Sequence, residues 1–287
     1  MEQKAVILAD STCDLSPALL RQYDIHILPL NIVLDGEAYA DGTAITPDEI
    51  YRWAQAHGAT PKTAAPSPAQ ALAALEPLAA LDRPVICFGI SEQMSASCQV
   101  MRLAAAEAGL KEWYVIDSRN LSTGIGLQVI RAAELAEAGV PAGEIAARIE
   151  AARDQVRASF VVDTLTYLAR GGRCSAVTAL LGNALRLKPK IAVENGAMGV
   201  TKKYRGSQER VIADYVADLG PQLARAEPAH IFITHSGVPQ EVLDQTRRTL
   251  EDLHYFAQIH ITRAGGVISS HCGPGTLGVL FYEKPAD

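Results

Sequence analysis

Short apolar runs rich in Val, Ile and Leu recur along the first half of the chain, and between them apolar residues repeat with helical spacing. The runs predict strands and are AVILA at 5–9, IHILPLNIV at 25–33, VICFGI at 85–90 and WYVID at 113–117. The helical patterns lie at about 47–57, 68–80, 97–109 and 121–138. Because strands that alternate with helices need crossover connections, we predict a mostly parallel sheet with helices on both faces.

After a helical stretch from Pro141 to Val156 the pattern changes. Two short apolar strings flank Asn195-Gly196, and Asn-Gly accepts the positive φ that tight hairpin turns need, so we predict an antiparallel element here. Further strand-like runs are HIFITHSG at 230–237, QIHIT at 258–262 and GVLFY at 278–282, with helices near 207–219 and 239–252. The pattern therefore predicts an α/β protein of two domains, residues 1–158 with the parallel sheet and residues 159–287 with a mixed sheet.

Composition and charge exclude several classes of protein. The hydrophobic share is 48% and the charged share 20%, which is globular composition and excludes disorder as the main state. The net charge is −6 and the 26 basic residues form no dense run, so the chain lacks a broad cationic surface for nucleic acid. Aromatic residues make up only 6%, which leaves few platforms for stacking single-stranded bases.

The compartment can be inferred from the cysteines and the apolar runs. The five cysteines are scattered, odd in number and contain no C-x-x-C pair, which indicates reduced thiols rather than disulfides or a zinc site. The first apolar run reaches Asp10 too soon for a signal peptide, and no stretch approaches the roughly 18 apolar residues of a membrane span. We expect a soluble, unsecreted, cytoplasmic protein.

Small hydroxyl and carboxyl side chains follow the predicted strands. Ligands of open α/β sheets bind beyond the carboxyl ends of strands, which makes these positions the informative ones. The alternative is structural, because Ser, Thr and Asp also cap helix N-termini. The residues concerned are Asp10-Ser11-Thr12, Ser91 with Ser95 and Ser97, Asp117-Ser118 and His235-Ser236.

Neither a catalytic triad nor a metal site has a clear motif. Ser, His and Asp are all present, but no G-x-S-x-G elbow presents a serine as nucleophile. The seven histidines include no H-E-x-x-H, and His254 and His260 are six residues apart without a partnering carboxylate at metal-ligand spacing. We therefore expect no metal ion and no cofactor.

Two glycine motifs are open to more than one interpretation. GPGTLG at 273–278 matches G-x-G-x-x-G, but too few residues follow for the helix, strand and acidic residue of a dinucleotide site. We expect it instead to form a tight turn after His271, holding that imidazole in a loop with its side chain inward. Arg170-Gly171-Gly172-Arg173 either holds an anion or marks the end of a helix with solvated charges.

Taken in order, nine segments resemble the DegV family, the fatty-acid-binding proteins that serve bacterial fatty acid kinase. They cover nearly the whole chain. They are ADSTCDL (9–15), YADGTAIT (39–46), KTAAPSPAQ (62–70), ISEQMSASCQ (90–99), VIDSRNLSTGIG (115–126), VVDTLTYLARGGR (161–173), LKPKIAVENG (187–196), THSGVP (234–239) and GGVISSHCGPGTLGV (265–279).

The resemblance implies two α/β domains that enclose one long-chain fatty acid. The family's carboxylate ligands fall on Thr63, Ser95 and His271, whose hydroxyl and imidazole donors suit a carboxylate with a buried tail. Supporting or rim positions, for structure or partner docking, are Ser97, Arg173, Arg205, Gly273 and Gly275.

The resemblance also implies a role without catalysis. The protein would take a fatty acid from the membrane surface in transient contact and present its carboxylate to a separate ATP-dependent kinase subunit, which makes acyl phosphate for phospholipid synthesis.

Two departures from the family's pattern fall in the presumed head-group region. The chain has Ala64-Ala65 where the family tends to have Ser-Gln, and Ser95-Ala96-Ser97-Cys98 where it tends to have S-G-T-Y.

Two other functions remain open at this stage. One is an acyl-substrate hydrolase that uses Ser95 and His271, and the other is a sugar- or phosphate-binding module that uses Asp10 and Arg173.

Overall fold

A computed structural model describes residues 4–178 and 187–285 of the chain. Three sheets organise these residues, in the strand orders β2-β1-β6-β7, β10-β9-β8-β13-β11-β12 and β4-β3-β5. The strands are β1 Val6–Asp10, β2 Ile25–Leu28, β3 Asn31–Leu34, β4 Glu37–Ala40, β5 Lys62–Ala64, β6 Val85–Gly89, β7 Trp113–Asp117, β8 Val156–Val161, β9 Leu187–Glu194, β10 Ala197–Arg205, β11 Ala226–His235, β12 Gln258–Arg263 and β13 Leu277–Glu283.

Helices connect and cover the sheets, and two short 3-10 helices span Ser11–Cys13 and Arg153–Gln155. The α-helices are α1 Pro17–Gln22, α2 Pro47–His57, α3 Pro68–Ala79, α4 Ser97–Glu107, α5 Thr123–Glu137, α6 Ala142–Ala152, α7 Thr166–Gly171, α8 Ser175–Thr178, α9 Gln208–Asp218, α10 Gly220–Leu223, α11 Gln240–Glu251 and α12 Gly266–Cys272.

The N-terminal sheet is parallel throughout. Its central strands β1 and β6 are buried along their whole length, which accounts for their continuous apolar sequence. Helices α3 and α4 pack on one face, and α5 and α6 pack on the other. The predicted parallel sheet with helices on both faces is confirmed.

The C-terminal sheet is mixed, since β11 and β12 pair in parallel and the other neighbours pair antiparallel. The predicted hairpin at Asn195-Gly196 is present as β9 and β10. Helix α5 lies between this sheet and the N-terminal sheet, and most of its residues are therefore buried. The predicted mixed sheet is also confirmed, whereas the domain boundary at residue 158 falls inside β8 and remains a prediction.

The third sheet, β4-β3-β5, is not part of the sequence prediction, in which the run at 25–33 forms one strand. That prediction is wrong. The chain leaves the N-terminal sheet at Leu28, and after Pro29-Leu30 it begins β3 of the separate antiparallel sheet. Proline donates no backbone N–H to a sheet, so it separates the two strands.

Helix α12 joins the third sheet to the rest of the molecule. Its Val267 packs with Leu30, Ile32 and Ile50 in a small core of its own. His271 lies in the last turn of this helix, not in the predicted loop, because the helix continues to Cys272 before the glycine turn begins.

No helix within 4–178 or 187–285 combines the length and the apolar character that a membrane crossing requires.

Candidate functional site

An apolar cavity lies where α12 meets helix α7 and the start of α5. It is also lined by β5 of the third sheet, by strands of the C-terminal sheet and by the segment that follows β6 of the N-terminal sheet. It encloses about 840 Å³, part of which is open to solvent. Its apolar lining residues are Leu30, Ala64, Ala65, Ile90, Met94, Leu121, Phe160, Leu168, Met198, Ala264, Val267, Ile268, Cys272, Gly278 and Leu280.

Polar side chains are fewer, and the sequence-predicted residues Thr63, Ser95, His271 and Arg173 are among them. Thr63 comes from β5 and His271 from α12, and the two are 208 residues apart in the chain. The Thr63 Oγ1 and His271 Nε2 atoms lie 2.7 Å apart, which is a hydrogen bond. The fold thus brings two residues that are far apart in the sequence together at this wall of the cavity.

The His271 imidazole is neutral at physiological pH. Burial and, to a smaller extent, the positive charge of Arg173 together lower its pKa to about 4. A neutral imidazole carries one hydrogen and the Thr63 hydroxyl carries another, yet only one hydrogen lies in their shared bond. When Nε2 carries the hydrogen it donates to Thr63, and the threonine hydroxyl keeps its own hydrogen for a ligand. When Nδ1 carries it, Thr63 donates to Nε2 and the remaining hydrogen lies on the buried Nδ1 beside Gly171.

The second ring nitrogen, Nδ1, is buried and finds no hydrogen-bond partner among the residues the structure describes. It lies against Gly171 at the end of α7, where a Cβ atom would approach Nδ1 to 2.3 Å. Glycine is therefore required at this point for the imidazole to occupy its place.

Of the two interpretations of the Arg170–Arg173 segment, the helix end is observed, since α7 ends at Gly171 and Gly172 has a φ of 68°.

Arg173 and Ser95 border the same wall. The Arg173 guanidinium donates through Nη1 to the carbonyl of Gly171 at 2.7 Å and reaches the carbonyl of Met94 at 3.5 Å. Ser95 Oγ accepts the backbone N–H of Ser97 at 3.3 Å, which leaves its own hydrogen available as a donor. The wall thus offers neutral donors beside one positive charge, a set that suits an anionic oxygen group.

The remaining supporting or rim positions do not line the cavity, whereas the strand-end candidates His235 and Ser236 do. Ser97 is fully buried and donates to Asp10 at 2.8 Å, so it holds the backbone of the Ser95 loop. Gly273 and Gly275 have φ of 74° and 75° and form the predicted tight turn after α12. Arg205 is exposed at the end of β10.

Several strand-end residues have a structural role, because their side chains form hydrogen bonds with backbone groups. Asp10 accepts the backbone N–H groups of Thr12 and Ile90, and Ser91 donates to the carbonyl of Gly196. The glycine motif at 273–278 leads into strand β13 rather than a helix, which excludes the dinucleotide interpretation.

The hydrolase alternative finds no support. His271 pairs with Thr63, its other nitrogen has no carboxylate partner in the described part of the chain, and no hydrogen bond joins it to Ser95 there. A serine triad needs both of those links. Over the same described ranges, no group of three or more His, Cys, Asp or Glu side chains is arranged to hold a metal ion.

The sequence did not single out several residues that matter for the cavity. Met94, Met198 and Ser122 line it. Met94 and Ser122 lie in segments that resemble the family, but none of the three is a site residue in the sequence prediction. Ser122 has an unusual φ of 52° for a residue other than glycine, which only the structure reveals.

The fold and the cavity together define an α/β protein with a largely apolar candidate ligand site, partly open to solvent, and a small group of donors on its wall. A family model described as "Uncharacterised protein, DegV family" matches residues 4–284. The chain belongs to the DegV family, as the resemblance predicted.

Known relatives cover the chain almost completely. A DegV domain-containing protein of Deinococcus radiodurans is 34% identical over 281 residues, covering 98% of this chain and 99% of its own. The structure of a fatty-acid-binding DegV family protein from Thermus thermophilus matches with a TM-score of 0.88 and 29% identity, over 98% of this chain and 100% of that one. A stearic-acid-binding protein of Eubacterium ventriosum matches with a TM-score of 0.84 and 26% identity, over 99% of each chain.

Proposed function

We propose that this protein binds one long-chain fatty acid, with the carboxylate at Thr63, Ser95 and His271 and the hydrocarbon chain in the apolar cavity. The observation that carries the proposal is the Thr63–His271 pair, whose Nε2–H tautomer leaves the threonine hydroxyl free to donate at the wall of a largely apolar cavity. The structural relatives from Thermus thermophilus and Eubacterium ventriosum, described as binding a fatty acid and stearic acid, support it.

The free energy of burying a long hydrocarbon chain is large enough to support binding of a fatty acid. Burying ten or more methylene groups at about 0.8 kcal/mol each supplies roughly 8 kcal/mol or more before the costs of association are subtracted. The carboxylate must then be satisfied inside the protein, because an unpaired buried charge would cancel this gain. Neutral donors beside Arg173 satisfy it without adding a second buried charge.

Mass spectrometry of lipid extracted from the purified protein tests the proposal directly. We expect a long-chain fatty acid in near-stoichiometric amount, and we expect delipidated protein to take up palmitate. Thr63→Val removes the hydroxyl at nearly constant volume and should raise the Kd for palmitate about tenfold. Thr43→Val, at an exposed threonine outside the cavity, is the matched control. A protein that neither carries nor takes up fatty acid would refute the proposal.

The partner role is the finer part of the proposal. We infer that the protein is a carrier without catalytic activity, working in the cytoplasm, that collects the fatty acid at a membrane surface and presents the carboxylate to a separate ATP-dependent kinase subunit. Arg173 at the cavity wall and Arg205 on β10, together with Ser97, Gly273 and Gly275 as structural supports, are the positions assigned to this role.

A reconstituted phosphorylation assay tests this part. Acyl phosphate should form from ATP and fatty acid only when the kinase subunit and this protein are both present. Acyl phosphate formed by this protein alone, or acyl-ester turnover that is lost in Ser95→Ala, would show that the protein is itself an enzyme.

A further inference from the structure

Helix α12 is held at its start by two carboxyl groups from the opposite end of the chain. The backbone N–H of Gly265 donates to Asp14 Oδ1 at 2.8 Å, and that of Gly266 donates to Asp41 Oδ1 at 2.7 Å. The N-cap residue is Gly265, which has no side chain to satisfy these groups. Asp14 and Asp41 therefore supply the caps that the helix cannot supply for itself.

The second oxygen of each carboxyl group is bound as well. Ser122 Oγ donates to Asp14 Oδ2 at 2.6 Å, and Ser11 Oγ donates to Asp41 Oδ2 at 2.8 Å. Ser11 Oγ also accepts the backbone N–H of Leu30 at 3.1 Å. Since Ser122 and Leu30 both line the cavity, the two carboxyl groups join the helix to the cavity wall.

The first turn of α12 packs closely against β3 and Asp41. A Cβ atom at Gly266 would approach Ile32 Cδ1 to 2.5 Å and Asp41 Oδ1 to 2.8 Å. The strand β3 that carries Ile32 also pairs with β5, with Ile32 opposite Thr63. The same contacts therefore locate both the helix and the strand that carries its hydrogen-bond partner.

His271 lies at the other end of this short helix. The seven residues of α12 span about 10 Å at the usual rise of about 1.5 Å per residue. A short helix moves as a rigid unit, so a displacement of its first turn displaces the imidazole as well. The Thr63–His271 hydrogen bond of 2.7 Å tolerates only small displacements.

We propose that Asp14 and Asp41 are positioning residues for the head-group site, which fix α12 so that His271 meets Thr63 in the geometry that receives a carboxylate. The ligand in this statement rests on the proposed function, but the positioning itself does not. Burial raises the pKa of Asp14 to about 8 and raises that of Asp41 as well. Asparagine keeps an oxygen acceptor at nearly the same volume and is a close replacement for either residue.

The first measurement uses the ligand-free protein. Long-range ¹H–¹⁵N spectra of histidine-labelled protein report the tautomer and hydrogen bonding of each of the seven imidazoles. The signals of His271 are assigned by their loss in His271→Gln. We expect Asp14→Ala and Asp41→Ala to shift these signals, and Asp14→Asn and Asp41→Asn to restore them, because the acceptor for the helix N–H is regained.

Glu283→Gln is the matched control. Glu283 is also a buried carboxylate with two partners, Arg157 and Arg225, but it lies on β13 and has no hydrogen bond to α12. Its substitution should leave the His271 signals in place. Where an alanine variant does not fold, Ser11→Ala weakens the hold on Asp41 indirectly and should shift the same signals by a smaller amount.

The second measurement is the Kd for palmitate. Asp14→Ala and Asp41→Ala should raise it about tenfold or more, while the asparagine variants and Glu283→Gln stay within about threefold of the parent protein. His271 signals that stay fixed in both alanine and Ser11→Ala variants, or that move equally in Glu283→Gln, would overturn the positioning role. His271 signals that move in a protein without fatty-acid affinity would uphold the positioning role and refute the proposed function alone.

Discussion

Two histidines have the same depressed pKa and entirely different surroundings. Burial lowers the pKa of both His271 and His260 to about 4, helped by Arg173 at the first and by His230 at the second. His260 Nε2 lies 3.0 Å from His230 Nδ1, whose other nitrogen lies 3.0 Å from Glu134. His260 also stacks on Phe232, with ring centroids 4.6 Å apart.

The difference shows which property identifies a ligand site. The imidazole chain that begins at His260 ends on the Glu134 carboxylate, so it needs nothing from outside the protein. His271 has one partner, a buried nitrogen without one in the described residues, and a place on the cavity wall. A shifted pKa is therefore common to a structural and a candidate functional histidine, whereas an incomplete set of hydrogen-bond partners at a cavity wall distinguishes them.

The largest expected effect comes from substituting each histidine by asparagine. His271→Asn should raise the Kd for palmitate about 100-fold or more, because the carboxylate and Thr63 both lose a partner inside the protein. His260→Asn should leave that Kd within about twofold and lower the free energy of unfolding by about 1 kcal/mol. Titration with palmitate and urea denaturation measure the two quantities. Equal losses of affinity in both variants would remove the distinction between the two histidines.

A smaller effect is expected when the imidazole is displaced rather than removed. Gly171→Ala places a Cβ atom 2.3 Å from His271 Nδ1, so the ring must move away from Thr63. We expect a rise of about 30-fold in the Kd for palmitate. Gly220→Ala, in α10, is the control, because its Cβ would have no neighbour within 4 Å. Unchanged affinity in Gly171→Ala would mean that the position of the ring is not critical.

The smallest effect is a difference in titration between the two rings. An unfolded histidine titrates near pH 6.5, and both folded pKa values are lower. The unfolded chain therefore binds these protons more readily, and the free energy of unfolding falls as the pH drops below about 6.5. A bound carboxylate favours imidazolium and should raise the pKa of His271 alone. NMR titration of both imidazoles with and without palmitate measures this. A common shift of both rings would contradict a head group bound beside His271.

Much of the fold could be predicted from local sequence. The helix starts are examples, because Thr46 and Ser67 cap α2 and α3 through capping boxes with Glu49 and Gln70. The hairpin at Asn195 follows from turn chemistry in the same way. The separate three-stranded sheet could not be predicted, because Pro29 indicates a break in the run at 25–33 but not that β3 pairs with strands that follow later in the chain.

The candidate site was less accessible to sequence reasoning. Thr63, Ser95 and His271 were named through resemblance to a family, since a hydroxyl or an imidazole by itself also suits a cap or a core position. The Asp14 contact with Gly265 joins residues 251 apart, and no local pattern contains that information. Likewise the sequence places His260 six residues from His254, while the fold pairs it with His230.

The polar wall of the cavity is assembled from segments far apart in the chain, with Thr63 on β5, Gly171 at the end of α7 and His271 on α12. A ligand that bonds to this wall ties these segments to one another without a covalent link. Slow exchange of backbone hydrogens with solvent should therefore appear in all three segments together when the site is filled. The occupied protein would then open as a single cooperative unit, and release of the ligand would require all three segments to loosen at once.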